Sequence, residues 1–168
     1  AYHALNLAEG AENRAKVWIA SARILNDLNE LEDEQLFSKL LREVVERFEP
    51  LGVRIFNLAI ADDAKTWNPK TRRTAPRKSW VARTIDKLSR EYDVVFVTCT
   101  GNIDQSTIRQ FFDDDNPYPG YLCDETARIF DPGQAALALT VGSVTAGTLT
   151  VSSAATAIAL KNQPSPFT

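Results

Sequence analysis

One short segment joins a strand pattern to a side chain that could take part in acyl-transfer chemistry. The run Val94–Thr100 is apolar and rich in β-branched residues, which predicts a buried strand, and Gly101 and Asn102 follow it directly. An asparagine amide at the end of a strand can donate a hydrogen bond to the charge that develops on a reacting carbonyl oxygen. The other interpretation is an ordinary turn in which Asn102 caps the structure that follows. These residues by themselves favour the turn.

Other residue types that do chemistry are few. His3 is the only histidine, and we assign it no role because a lone histidine is usually solvated. The two cysteines, Cys99 and Cys123, predict neither a disulfide framework nor a zinc site. Cys99 is expected to be a small buried side chain. The aspartates at 113–115 offer oxygen ligands of the kind calcium takes, but such turns are usually solvated. We expect no cofactor and leave structural calcium unassigned.

A basic segment follows one of the predicted strands. Residues 62–78 carry six lysines and arginines together with Trp67. Basic residues interleaved with tryptophan can bind nucleic acid, yet a solvated surface loop is the commoner case, and the net charge of −3 does not favour nucleic acid. A loop after the carboxyl end of a strand lies where binding sites of parallel sheets usually form, and its positive charge could favour an acidic ligand. We expect no nucleic-acid partner.

The composition is that of one globular domain over residues 1–168, with 44% hydrophobic and 24% charged residues. No apolar run reaches the ~20 residues needed to cross a bilayer, so we expect no membrane partner. The few cysteines slightly favour a cytoplasmic location, which stays open. The first residue is Ala1 rather than methionine, and the final residues 164–168 suggest no domain closure. We therefore expect a piece of a longer protein.

The elements that must position these residues alternate along the chain. Strands are predicted at 17–25, 53–61, 94–100, 138–145 and, as a small-residue pair, near 148–160; helices are predicted at 1–9, 36–48 and 81–92, with Ser79 as a cap. Continuous apolar strands are typical of a parallel sheet flanked by helices on both faces. The sequence therefore predicts an α/β fold with a mostly parallel sheet. Functional loops should lie beyond the carboxyl ends of its strands, at 59–78, 100–106 and 145–150.

The order of several segments resembles the subtilisin-like serine proteases, or subtilases. The strand ending in Gly101-Asn102 is similar to the family's strand ending in Ala-Ala-Gly-Asn. Similar segments in the family's order are Gly10–Ala20, Val53–Ala61, Tyr118-Pro119-Gly120 with Ala138–Val144, and Gln163–Thr168. The resemblance implies that residues 1–168 are the central part of a peptidase domain, incomplete at both ends. It also implies that Asn102 is the oxyanion-hole asparagine.

Three motifs of that family do not occur in the chain: Asp followed by Ser/Thr-Gly, His-Gly-Thr, and Gly-Thr-Ser. Acyl transfer by a serine hydrolase needs a nucleophile, a base and an acid that orients the base. The resemblance therefore implies that the triad Asp and His lie before Ala1 and the Ser after Thr168, so this chain alone is expected to be inactive. It is expected to pack against the rest of the protease domain, or to self-associate.

The resemblance also implies two walls of a polypeptide-binding cleft. The family's Ser-Leu-Gly wall corresponds to Ala59, Ile60 and Ala61. The opposite wall corresponds to Thr98, Cys99, Thr100 and Gly101. Because glycine lets a substrate backbone approach closely, alanine reshapes the first wall. The leading hypothesis is a serine endopeptidase acting on polypeptides. The alternatives are a non-catalytic polypeptide- or nucleic-acid-binding domain on the same scaffold, and an unrelated α/β module.

Overall fold

The computed structural model describes residues 19–27, 34–62, 79–124, 127–147 and 158–167. In chain order its elements are helix α1 (Glu34–Phe48), a 3₁₀ turn (Glu49–Leu51), strand β1 (Ile55–Leu58), helix α2 (Trp80–Tyr92), strand β2 (Val95–Cys99), helix α3 (Gln105–Asp113), a 3₁₀ turn (Gly120–Cys123) and strand β3 (Leu139–Val141). The strands form a parallel sheet in the order β1-β2-β3. The predicted α/β class and the parallel sheet are confirmed.

Helices α1 and α2 form where the sequence predicts them. The apolar side chains of Phe37, Leu41 and Val45 recur along one face of α1 and are buried. Helix α2 begins after Ser79, whose Oγ accepts a hydrogen bond from the Ala82 N–H at 2.9 Å. The predicted Ser79 cap is therefore confirmed.

The main core lies between these two helices and one face of the sheet. Phe96 at the centre of β2 is fully buried and stacks on Phe56 of β1, with 5.4 Å between the ring centroids. Ile85 and Leu88 of α2 are fully buried in the same cluster. Burying each of these side chains stabilises the fold by roughly 1.5–3 kcal/mol. The sheet position is thus set by contacts on this one side.

An ion pair between Arg42 of α1 and Glu91 of α2 joins the two helices at their surface. Arg42 Nη2 lies 3.0 Å from Glu91 Oε2, and Nη1 donates to Oε1 at 3.2 Å. This side-chain hydrogen bonding raises the pKa of Arg42 and lowers the pKa of Glu91. Both side chains are partly exposed, so the pair orients the helices more than it stabilises them.

The opposite face of the sheet is apolar and exposed within the described residues. Its side chains alternate along the strands with the buried ones, as strand geometry requires. They include Ile55, Val95, Leu139 and Val141, with exposed fractions of 67%, 47%, 58% and 48%. Helices α1 and α2 pack on the buried side. A helical layer on this second face stays a prediction.

One predicted strand is wrong where the structure describes it. Of the segment 17–25, residues 19–25 form no strand, and Ile19 is largely exposed. Arg23 instead bonds Asp27 at 2.5 Å, while Ile24 packs against the core. An apolar run becomes a strand only where a neighbouring strand satisfies its backbone hydrogen-bonding groups. No described strand pairs with residues 19–25.

The other strand predictions differ in length or lie outside the described residues. Strands β1, β2 and β3 are each shorter than predicted at both ends. The helix predicted at 1–9 and most of the strand pair predicted at 148–160 lie outside the described residues. No helix within the described ranges is long and apolar enough to cross a bilayer.

Candidate functional site

The Gly101-Asn102 turn lies at the carboxyl end of β2. Gly101 has φ +99°, which favours glycine, and it packs on the ring of Phe130. A Cβ at this position would lie 2.4 Å from Phe130 Cδ2, so the close approach also excludes a larger residue. The next residue, Asn102, is exposed. The turn therefore presents an amide side chain at the sheet edge.

The helix after this turn has its own cap. Asp104 accepts hydrogen bonds from the N–H groups of Ser106 and Thr107, at 2.7 and 3.0 Å, and from both hydroxyls. These bonds, led by those from the Ser106 and Thr107 side chains, hold the pKa of the Asp104 carboxyl well below its usual value. The interpretation of Asn102 as a cap is therefore wrong, because Asp104 takes that role.

The two predicted cleft walls lie side by side because β1 and β2 are neighbouring parallel strands. Cys99 Sγ donates to the carbonyl oxygen of Ile60 across the gap, with a separation of 3.5 Å. Ala59 and Ala61 are exposed, whereas Ile60 packs partly against the core. The structure thus brings the segments 59–61 and 98–101 together.

Within the second wall, Thr98 faces the protein interior. Its side chain is 2% exposed, and its Oγ1 lies 3.1 Å from Thr140 Oγ1 on β3. Thr140 Oγ1 in turn donates to the Gly133 carbonyl oxygen at 2.7 Å. Cys99 and Thr100 are half-buried, and Gly101 is buried. Thr98 therefore stabilises the second wall from its buried side, through the contact with Thr140.

A dipeptide that sequence reasoning missed connects the two walls: Phe130 and Asp131, called here the 130–131 bridge. The Phe130 N–H donates to the Thr100 carbonyl at 2.9 Å, which ties the bridge to the second wall. Asp131 forms an isolated antiparallel pair with Asp62, just beyond the first wall, through N···O distances of 2.8 and 3.3 Å. The only local signal is the Pro132-Gly133 turn before β3.

Tyr118-Pro119-Gly120, which the sequence singled out, belongs to a second cluster around α3. Tyr121 stacks on Phe111 with 5.0 Å between ring centroids. The hydroxyls of Tyr118 and Tyr121 donate to the carbonyl oxygens of Pro164 and Pro166, each at 2.7 Å. The cluster therefore holds the segment 163–167 close to the Asn102 turn, where Ile103 N–H also donates to the Phe167 carbonyl at 2.8 Å.

A cavity of about 220 Å³ lies beside this turn. Its lining is mainly apolar and consists of Thr100, Gly101, Ile103, Leu122, Ala127, Arg128, Ile129, Phe130 and Phe167. A hollow of this size is large enough to accommodate one side chain.

The structure gives no side-chain positions for two other candidates from the sequence. His3 and nearly all of the basic segment 62–78 lie outside the described residues. In the part of the chain that the structure describes, no group of three or more His, Cys, Asp or Glu side chains is arranged to hold a metal ion. The aspartates at 113–115 are exposed at the end of α3.

Comparison with known proteins agrees with this architecture. A protein of Sinorhizobium fredii (strain NBRC 101917 / NGR234), "Uncharacterized protein y4bN", is 29% identical over 133 residues, covering 76% of this chain. The chain spans about 30% of the length of that relative. No solved structure matches this chain. The family model described as "Subtilase family" matches residues 7–168, nearly the whole length. The chain therefore belongs to the subtilase family.

Proposed function

We propose that this chain is the central part of a serine endopeptidase and that Asn102 supplies its oxyanion hole. The observation that carries the proposal is the exposed Asn102 amide at the carboxyl end of β2, on a turn that requires Gly101, beside two adjoining walls. In acyl transfer the Asn102 amide would donate to the oxygen that becomes negative in the tetrahedral intermediate. A fixed donor needs no reorganisation as that charge develops.

The substrate in this proposal is an extended polypeptide lying between the walls. Ala59 and Ala61 are exposed on one wall, and Cys99 and Thr100 are accessible in part on the other. The backbone N–H and carbonyl of Thr100 are already bonded to Val141 and Phe130, so the proposed substrate lies along the exposed residues Ala59 and Ala61 rather than pairing with Thr100. The cavity of about 220 Å³ beside Gly101 would then receive one of its side chains.

The triad is proposed to lie in the rest of the parent protein, with Asp and His before Ala1 and Ser after Thr168. The exposed apolar face of the sheet supports a further layer of the protein packed against it. Ile55, Val95, Leu139 and Val141 form an apolar surface of the kind that is usually buried against another layer. The remainder of the protease domain is the proposed partner, and the chain alone would not hydrolyse peptides.

The test compares the full-length protein with its Asn102→Ala variant. Peptide hydrolysis should fall in kcat by about 10²–10³-fold with little change in KM, the range seen when subtilisin itself loses its oxyanion-hole asparagine. Gln110→Ala removes an exposed amide from α3 and is the matched control, with no expected change. Equal rates for Asn102→Ala and wild type would contradict the proposal. A full-length protein that binds polypeptides without cleaving them would favour the non-catalytic alternative.

A further inference from the structure

The 130–131 bridge holds a buried carboxylate that the proposed reaction does not use. Asp131 is 3% exposed, and its Oδ1 accepts a hydrogen bond from the Ser79 hydroxyl. Burying a carboxylate is costly unless hydrogen bonds and a favourable field compensate. Here the hydroxyl and the amino-terminal end of α2 supply both. Ser79 caps the helix through its own Oγ, so the cap itself does not require Asp131.

The backbone around this carboxylate reaches both walls of the cleft. Asp131 pairs with Asp62, which follows the 59–61 wall, while the preceding Phe130 bonds Thr100 of the other wall. The Asp131 side chain fixes the same dipeptide to the first turn of α2. Since α2 packs firmly in the main core, the bridge has a rigid support. The bond from Ser79 to Asp131 thus ties the bridge, and through it both walls, to α2.

We propose that Asp131 is a positioning residue that sets the width of the polypeptide-binding cleft. The proposal rests on the proposed function, since it concerns the same cleft. The distance between the walls affects substrate binding equally in the ground state and in the transition state. A change in that distance should therefore appear mainly in KM. The Asn102 turn keeps a separate support, because the Thr100 N–H donates to the Val141 carbonyl at 3.2 Å. Thus kcat should change less than KM.

The experiment measures peptide hydrolysis by full-length Asp131→Ala, Asp131→Asn and Ser79→Ala variants. Asp131→Ala should raise KM by up to about tenfold, the limit reached if the whole free energy of the lost hydrogen bond to this buried charged group is expressed in substrate binding. Asp131→Asn keeps an acceptor for the Ser79 hydroxyl and should restore a KM near wild type. Ser79→Ala removes the partner and should raise KM as well. Combining Ser79→Ala with Asp131→Ala should raise KM no further than the larger single change, because both break the bond from Ser79 to Asp131. Ser79→Ala also removes the cap of α2 and should lower the free energy of unfolding, which Asp131→Ala does not do through the cap.

A second readout does not depend on catalysis. Cys99 Sγ bonds Ile60 across the walls, so wider spacing should increase its rate of maleimide labelling. Cys123, which is exposed, serves as the internal reference in peptide mass spectra of the same samples. Asp113→Ala removes an exposed carboxylate at the end of α3 and is the control variant, with KM and Cys99 labelling unchanged. Ser79→Ala keeps the labelling test available if Asp131→Ala does not fold.

The outcomes separate this proposal from the proposed function. Faster Cys99 labelling in Asp131→Ala and Ser79→Ala, reversed in Asp131→Asn, supports the positioning role even if full-length protein shows no hydrolysis. The absence of hydrolysis would count against the proposed function alone. Unchanged KM and unchanged Cys99 labelling would overturn the role of Asp131. An Asp131→Asn variant as impaired as Asp131→Ala would overturn it too, because geometry would then not be the cause.

Discussion

Replacing Gly101 with alanine should destabilise the protein through two separable effects. Its φ of +99° is unfavourable for an L-residue, which costs roughly 1–2 kcal/mol. The new Cβ would also lie 2.4, 2.5 and 2.7 Å from three side-chain atoms of Phe130, and such overpacking typically costs about 1–3 kcal/mol. The expected loss in free energy of unfolding is therefore roughly 2–5 kcal/mol.

Gly52 offers a matched control for this prediction. Its φ is +89°, yet a Cβ there meets no atom within 4 Å. Gly52→Ala should therefore cost only the conformational part, roughly 1–2 kcal/mol. Urea unfolding of both variants, followed by circular dichroism, measures the difference. Equal losses would refute the argument, because they would show that contact between Gly101 and Phe130 does not constrain the turn.

Three further predictions concern other contacts. Because the pKa of Asp104 is lowered on folding, its ionised carboxylate stabilises the fold above about pH 4, and this contribution disappears as the pH falls through the lowered pKa. Urea midpoints measured from pH 5 to lower pH should depend less on pH in Asp104→Asn. Tyr121→Phe removes the bond to Pro166 and should cost about 1 kcal/mol in unfolding free energy, measured in urea. If a second helical layer covers the sheet, Val95→Lys should destabilise the full-length protein by about 2 kcal/mol or more in thermal unfolding, and an unchanged midpoint would count against that layer.

The sequence alone predicted helices and strands correctly where the local residue pattern and the long-range contacts favour the same element. Ser79 before an amphipathic segment predicted the start of α2, and the structure shows that hydrogen bond. The run 94–100 predicted β2, and its residues Val94 and Phe96 lie in the core cluster that also holds buried residues of both helices. The run 17–25 has a similar composition, but its described part pairs with no strand. Composition alone does not say whether a neighbouring strand exists.

The 130–131 bridge could not be predicted because its partners are distant in sequence. Its backbone bonds reach Asp62 and Thr100, and its carboxylate reaches Ser79. Locally, Asp131-Pro132-Gly133 has the composition of a solvated turn. Aspartate is also among the residues least often buried, so sequence reasoning places it at the surface. Only the fold reveals that this aspartate is buried with a partner.

The same dipeptide links the proposed oxyanion donor to the proposed cleft. Phe130 lies against Gly101 and thereby sets the backbone that presents Asn102, while Asp131 connects the first wall to α2. The two residues nevertheless act at different stages of the proposed reaction. A change at Gly101 displaces a donor that matters when charge develops, so it should lower kcat. A change at Asp131 alters contacts that exist throughout, so it should raise KM. A lower kcat after the change at Gly101, together with a higher KM after the change at Asp131, would show that the 130–131 bridge serves both catalysis and binding.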